Sequence, residues 1–175
     1  IDVIVGIPGE GIKRGSSTKS EAGQIQMFYG NNLWGRDKEF HQDTRGWQGV
    51  VETDDRFGSA LATGDFNNDG YDDVAIGIPG EDIGSRKDAG QVMIAYGSSS
   101  GLGSPQAFYQ GSRGTKGRAE SGDLFGAALA SGDLNGDGYD DLIVGAPGEA
   151  IGTKKKGGLI HAFYGSEAGI TTTGN

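Results

Sequence analysis

The chain has 175 residues, a formal net charge of −9 and no cysteine. The missing cysteine excludes a disulfide framework, a thiolate metal site and a cysteine nucleophile. The negative charge argues against a nucleic-acid groove, so no nucleic-acid partner is expected. Glycine supplies 35 of the 175 residues, against an ordinary share of roughly 7%, and has no collagen-like period of three. Together with short Val, Ile, Tyr and Phe runs, this reads as an all-β chain rich in turns. The two histidines, His41 and His161, are too few and too far apart for a His-rich metal site. No apolar run approaches the roughly 20 residues of a membrane-spanning helix, so no membrane insertion is expected. No charged-then-apolar leader opens the sequence, as in a mature chain, a fragment or a cytosolic protein.

The chain begins with a short segment that returns twice. Asp2-Val3-Ile4-Val5-Gly6-Ile7-Pro8-Gly9-Glu10 matches Asp73 to Glu81 and Asp141 to Glu149. A second element, Gly23 to Gly30, returns at Gly90 to Gly97 and at Gly158 to Gly165. The longest repeat runs from Phe57 to Glu81 and recurs without a gap at Phe125 to Glu149, an offset of 68 residues. Each unit reads as four strands: Phe57 to Thr63, Asp73 to Ile78, Gln91 to Tyr96, and one near Gln106 to Gln110. Pro79 and Pro147 fit strand ends, because proline cannot donate to a ladder. The Gly, Ser and Ala of the first strand suit the crowded inner edge of a radial sheet. Short, Gly-broken runs stopped by proline exclude helices.

Four strands repeated about every 68 residues is the pattern of β-propeller blades of four antiparallel strands. The expected division is a single propeller segment over 1–175, with a partial blade at 1–50, a full blade at 51–118 and a partial blade at 119–175. Three blades cannot close a ring, since propellers have roughly four to eight. The sequence therefore reads as part of a larger or multi-chain propeller. Its expected neighbours are other propeller blades or copies of itself.

Between the first and second strands of each full repeat lies a run of oxygen donors. Asp65, Asn67, Asp69 and Asp73 occupy positions 1, 3, 5 and 9, with Tyr71 offering its carbonyl at position 7. Asp133, Asn135, Asp137, Tyr139 and Asp141 repeat the set. Gly70 and Gly138 at position 6 permit the sharp turn. Carboxylate, amide and carbonyl oxygens select a hard cation with flexible coordination, hence Ca²⁺ over Zn²⁺. Mg²⁺ demands tighter octahedral geometry and keeps its waters. An EF-hand would need a bidentate Glu at position 12 and an exiting helix, but Ile76 and Val144 stand there and a short strand follows. A dockerin fails for the same reason. The alternative for both loops is a pair of Asx-rich turns without an ion, although three clustered carboxylates would then repel one another. Asp2 aligns with position 9 of a third, partial site. Asp72 and Asp140, at position 8, are expected to face solvent.

Phe-Gly, then the cation loop, then Gly145-Ala146-Pro147 resembles the FG-GAP repeat of the integrin α-subunit propeller, found also in bacterial surface proteins and in a glycosylphosphatidylinositol-specific phospholipase D. Gly6-Ile7-Pro8 and Gly77-Ile78-Pro79 depart from Gly-Ala-Pro, and the first repeat lacks Phe-Gly and most of its loop. The resemblance implies Ca²⁺ in the two complete loops. It also implies a ligand-binding face made by the connections after the second and fourth strands of each blade.

Those connections carry Lys13, Arg14, Lys19, Arg45, Arg56, Arg86, Lys87, Arg113, Lys116, Arg118, Lys154, Lys155 and Lys156. Only Arg36 and Lys38 fall elsewhere. The cation loops hold eight Asp and no base. A locally basic ligand face is therefore expected, suited to a protein or acidic glycan ligand, although bases on long loops also simply solubilise. Phe28, Tyr29, Tyr96, Phe163 and Tyr164 recur at the third strand and are expected in the inter-blade core with Tyr tips near water. Trp34 and Trp47 lie outside the repeat and are expected to pack on the first blade, the alternative being exposed ligand contacts. No nucleophile elbow, phosphate-cradling loop or His-centred triad is present, so no catalytic residue is expected. The expected function is a calcium-binding, ligand-binding adhesion module, secreted or at the cell surface, where millimolar Ca²⁺ fits such loops. The alternatives are an accessory propeller domain of a secreted enzyme such as a phospholipase, and a self-assembling structural subunit.

Overall fold

The computed structural model describes residues 2–30, 37–47 and 49–172. Among them there is no helix, and the strands form three successive antiparallel blade sheets and one small hairpin. The first sheet orders β1 (Val3–Ile7), β4 (Gln24–Phe28) and β5 (Lys38–Phe40). The second is the complete blade: β6 (Ala60–Gly64), β7 (Asp73–Ile78), β8 (Gln91–Ala95) and β9 (Gln106–Phe108). The third orders β10 (Ala128–Gly132), β11 (Asp141–Ala146) and β12 (Leu159–Phe163). The innermost strands β6 and β10 lie against each other, where Ser131 donates its hydroxyl to the Thr63 carbonyl at 2.6 Å.

The second sheet is covered on both faces, and every residue of β7 and β8 is buried. One face packs with Ile25, Met27, Phe40 and Trp47 of the first blade around Phe57. The other packs with Val144, Ala146 and Phe163 of the third around Phe125. Burying one such ring contributes roughly 1.5–3 kcal/mol. Trp47 stacks on Phe40 at 4.9 Å and leans on Phe57, so it is core, as its place outside the repeat suggested. Trp34 lies outside the described residues. Phe163 is buried, while Phe28, Tyr29, Tyr96 and Tyr164 are half-buried. The Tyr96 hydroxyl accepts the Ile170 N–H at 2.8 Å.

The Phe-Gly dipeptides do not begin a strand, as the sequence had suggested; they stitch blades together. Phe57 N–H donates to the Ala22 carbonyl of the first blade, and Phe125 N–H to Ala89 of the second. Gly58 and Gly126 have φ of +83° and +88°, a conformation that favours glycine. Their carbonyls press on the preceding blade. A Cβ on Gly6 would sit 2.1 Å from Gly58 O, and one on Gly77 2.1 Å from Gly126 O. The glycine before each Ile-Pro is thus a seat for the next blade's Phe-Gly.

The connection after β1 contains a hairpin that the sequence reading missed, β2 (Ile12–Arg14) with β3 (Ser17–Lys19). Gly15, with φ of +60°, is the first of its two loop residues, as a type II′ turn requires. Gly84 and Gly152 repeat that conformation, beside the single bridges Ile83–Arg86 and Ile151–Lys154.

Candidate metal centre

The two Asp-rich loops leave the inner strands and curl around their first residue. The Asp65 carboxylate accepts the Asp69 N–H at 3.0 Å and the Gly70 N–H at 2.8 Å. The Asn67 side-chain oxygen accepts the Asp69 N–H at 3.1 Å, and the Asn67 amide donates to Asp69 at 3.0 Å. Asp69 in turn accepts the Tyr71 N–H at 3.0 Å. The second loop repeats the pattern: Asp133 accepts from Gly136, Asp137 and Gly138, and Asn135 and Asp137 hold each other as their counterparts do. Asp137 accepts the Tyr139 N–H at 3.0 Å. The Gly138 N–H, with its neighbours, holds the Asp133 carboxyl below its ordinary range. Positions 1, 3 and 5 are thereby gathered within one turn, and they remain solvent-accessible.

Position 9 is held differently. Asp73 is fully buried, and its two oxygens accept the Phe66 N–H at 3.0 Å and the Gly97 N–H at 2.8 Å. Asp141 does the same with Leu134 and Gly165. Burial pushes the Asp73 carboxyl up to about 6 despite those donors. Asp2 keeps half of this role by accepting the Gly30 N–H at 2.9 Å. Among the described residues no three carboxylate or imidazole groups form a ready cage for an ion. The loop amide and carbonyl oxygens would have to complete any coordination shell.

Position 8 corrects the sequence reading on one side. Asp72 is exposed, but Asp140 is half-buried and accepts the Asp65 N–H across the blade boundary at 2.9 Å. The third blade therefore clamps the second blade's loop at the first residue of its donor run.

The opposite end of the blades is not the basic face expected from counting Lys and Arg. Arg14 pairs with Asp43 at 2.9 Å and Lys87 with Asp82 at 3.4 Å. The same connections carry Glu52, Asp55, Glu81, Glu120, Asp123 and Glu149. The Lys154–Lys156 tip stays exposed. His161 is core: it is 5% exposed, lies edge-on to Phe125 at 5.3 Å, and burial lowers its proton affinity.

The FG-GAP repeat profile matches residues 57–94 and 125–163. Those two stretches coincide with the Phe-Gly stitch, the Asp-rich loop and the next two strands of each blade. The chain contains two FG-GAP repeats. It is 36% identical over 114 residues to mouse phosphatidylinositol-glycan-specific phospholipase D, a match that covers 65% of this chain and 14% of that protein. It is 36% identical over 126 residues to integrin alpha pat-2 of Caenorhabditis briggsae, covering 65% of this chain and 10% of that one. Integrin alpha-5 of Xenopus laevis is 42% identical over 96 residues, covering 53% and 9%. The match thus spans only a small part of each relative's length. These FG-GAP blades are those of an integrin-like propeller.

Proposed function

We propose that this chain is a calcium-stabilised propeller segment that presents its inter-strand connections to a ligand outside the cell. The observation that carries the calcium reading is the matched curl of the two loops. Each gathers an Asp, an Asn and a second Asp within one exposed turn, on donors that are all hard oxygens, which suits Ca²⁺. Asp65, Asn67, Asp69, Asp73 and the Tyr71 carbonyl would hold one ion. Asp133, Asn135, Asp137, Asp141 and the Tyr139 carbonyl would hold the other. Bound calcium would neutralise the loop carboxylates and fix the turn. The Asp140 clamp would pass that rigidity to the blade boundary. Asp2 belongs to a partial third site that keeps only its structural hydrogen bond.

Similarity to integrin α chains favours a binding and adhesion role over catalysis. Similarity to the phospholipases favours a second reading, an accessory propeller of a secreted enzyme. The exposed Lys154–Lys156 tip is the part of the loop face suited to a protein carboxylate or an acidic glycan. The calcium reading is tested by calcium stoichiometry at saturation. Replacing Asp65 and Asp133 together by Ala should remove two ions per chain, and an unchanged count would refute it. The ligand reading is tested on immobilised acidic ligands: retention that falls when Lys154, Lys155 and Lys156 are replaced by Glu supports it, and no retention would turn our preference to the accessory reading.

A further inference from the structure

At the end of the blades opposite the Asp-rich loops, two carboxylate pairs, each a buried Asp with a half-buried Glu, recur 68 residues apart. In the first, Asp55 of the connection entering the second blade stands beside Glu81, which follows β7. Asp55 is 1% exposed and accepts the Glu52 N–H at 2.6 Å. Gln42, from the first blade and also 1% exposed, donates its amide to Glu81 at 2.5 Å. The second copy repeats these contacts. Asp123, 2% exposed, accepts the Glu120 N–H at 2.6 Å, and Gln110, 2% exposed, donates to Glu149 at 2.7 Å.

Two features leave each cluster incomplete. The first is charge. The groups that act electrostatically on Glu81 are Asp55, Glu52 and Asp82, and those that act on Asp55 are Glu52, Asp82 and Asp54. These strongest influences are all acids. Asp123 likewise faces Glu149 and Glu120. Buried charges in folded proteins are paired or coordinate metals. The second feature is an orphaned acceptor. The amide oxygens of Gln42 and Gln110 are buried and have no hydrogen-bond partner, although the other end of each amide is fixed on the Glu of the cluster. A cation would complete both at once, by meeting two carboxylates and an amide oxygen.

We propose that each pair is a second class of cation site, seated between blades and separate from the Asp-rich loops. It would take a hard divalent cation on Asp55, Glu81 and the Gln42 oxygen, and another on Asp123, Glu149 and the Gln110 oxygen. Such an ion would tie a side chain of one blade to two of the next. It would do for the ligand-face end what the Asp140 clamp does for the other.

The test is equilibrium dialysis with Ca²⁺ on the full chain, comparing wild type, Glu81→Gln/Glu149→Gln and Asp65→Ala/Asp133→Ala. The Glu→Gln double variant should bind two ions fewer than wild type, and the loop variant should retain two. Equal binding by the Glu→Gln variant and wild type would overturn the proposal, leaving each pair held by a shared proton. So would a loop variant that binds no ion, a result that needs no Glu substitution to fold. Failure of the loop reading is read separately, as an unchanged count on going from wild type to the loop variant.

Discussion

The second and third blades present the same face in two conditions. Ala62, Ala75, Val92 and Ile94 of the second blade are buried under the third. Their counterparts 68 residues on are Ala130, Ile143, Ile160 and Ala162. None of these four is buried, and Ile160 is 72% exposed against 1% for Val92. Gly77 is closed by the Gly126 carbonyl, whereas a Cβ on Gly145 would meet nothing nearer than Ala128 of its own sheet, at 3.4 Å. The pattern of each blade is therefore fixed locally, but its stability comes from what the next blade places on it.

The largest expected effect lies in the covered boundary. Phe125→Ala removes the ring at its centre and should cost about 3–5 kcal/mol by chemical denaturation. A cost below 1 kcal/mol would mean that the Phe-Gly stitch is not what joins the blades. Next comes the pair of glycines, both of which have ordinary strand dihedrals. Gly77→Ala forces a methyl against backbone and should cost about 1–3 kcal/mol. Gly145→Ala should change stability by less than about 0.5 kcal/mol. Equal losses would break the comparison and would show that the third blade's open face is covered in solution by another chain.

A third test uses the carboxylate pair seated between the first two blades. In chelator, burial raises Asp55 from 3.8 to about 7 and Glu81 from 4.5 to about 8. The folded state then binds these protons more tightly than the unfolded chain. Their contribution is complete below about pH 4 and is lost as pH rises through 7 to 8. Metal-free protein should therefore melt lower at pH 8 than at pH 5, and Glu81→Gln should shrink that difference. An undiminished difference in the variant would place the pH dependence elsewhere. The smallest effect is at the surface. Lys154, Lys155 and Lys156 all to Glu should leave the melting temperature within about 2 °C, since surface changes rarely exceed 0.5 kcal/mol. The same change should weaken binding to a sulfated glycan column, and unchanged retention would remove the basic tip from the ligand reading.

Much of the fold was legible because the chain repeats. β7 starts and ends where its β-branched run between Asp73 and Pro79 said it would, and β8 falls one residue short of its predicted end. The inner strand was misread at its start. Phe57 and Gly58 look like strand residues, but the Phe57 N–H is given to Ala22 of the first blade, Gly58 turns with a positive φ, and only Ala60–Gly64 joins the ladder. Asp140 was misjudged because position 8 of a loop faces outward within its own repeat. Its partner, Asp65, belongs to the previous one. The basic-face expectation failed because it counted Lys and Arg without the acids in the same connections. The carboxylate pairs were missed because Gln42, Asp55 and Glu81 are distant in sequence. The signal was nonetheless there: Gln42, Glu52, Asp55 and Glu81 each recur 68 residues later as the same residue type, outside the Asp-rich loop.

The central claim is that the two Asp-rich loops bind calcium and stiffen the blades. Ten-fold excess of Ca²⁺ over its dissociation constant would contribute about 1.4 kcal/mol per site, which is several degrees of melting temperature for a chain of this size. The most direct measurement is the melting temperature in saturating Ca²⁺ and in chelator, for wild type and for Asp65→Ala/Asp133→Ala. A calcium-dependent rise of several degrees in wild type that is clearly smaller in the variant is the predicted result. A rise of equal size in both proteins, or none in wild type, would contradict it.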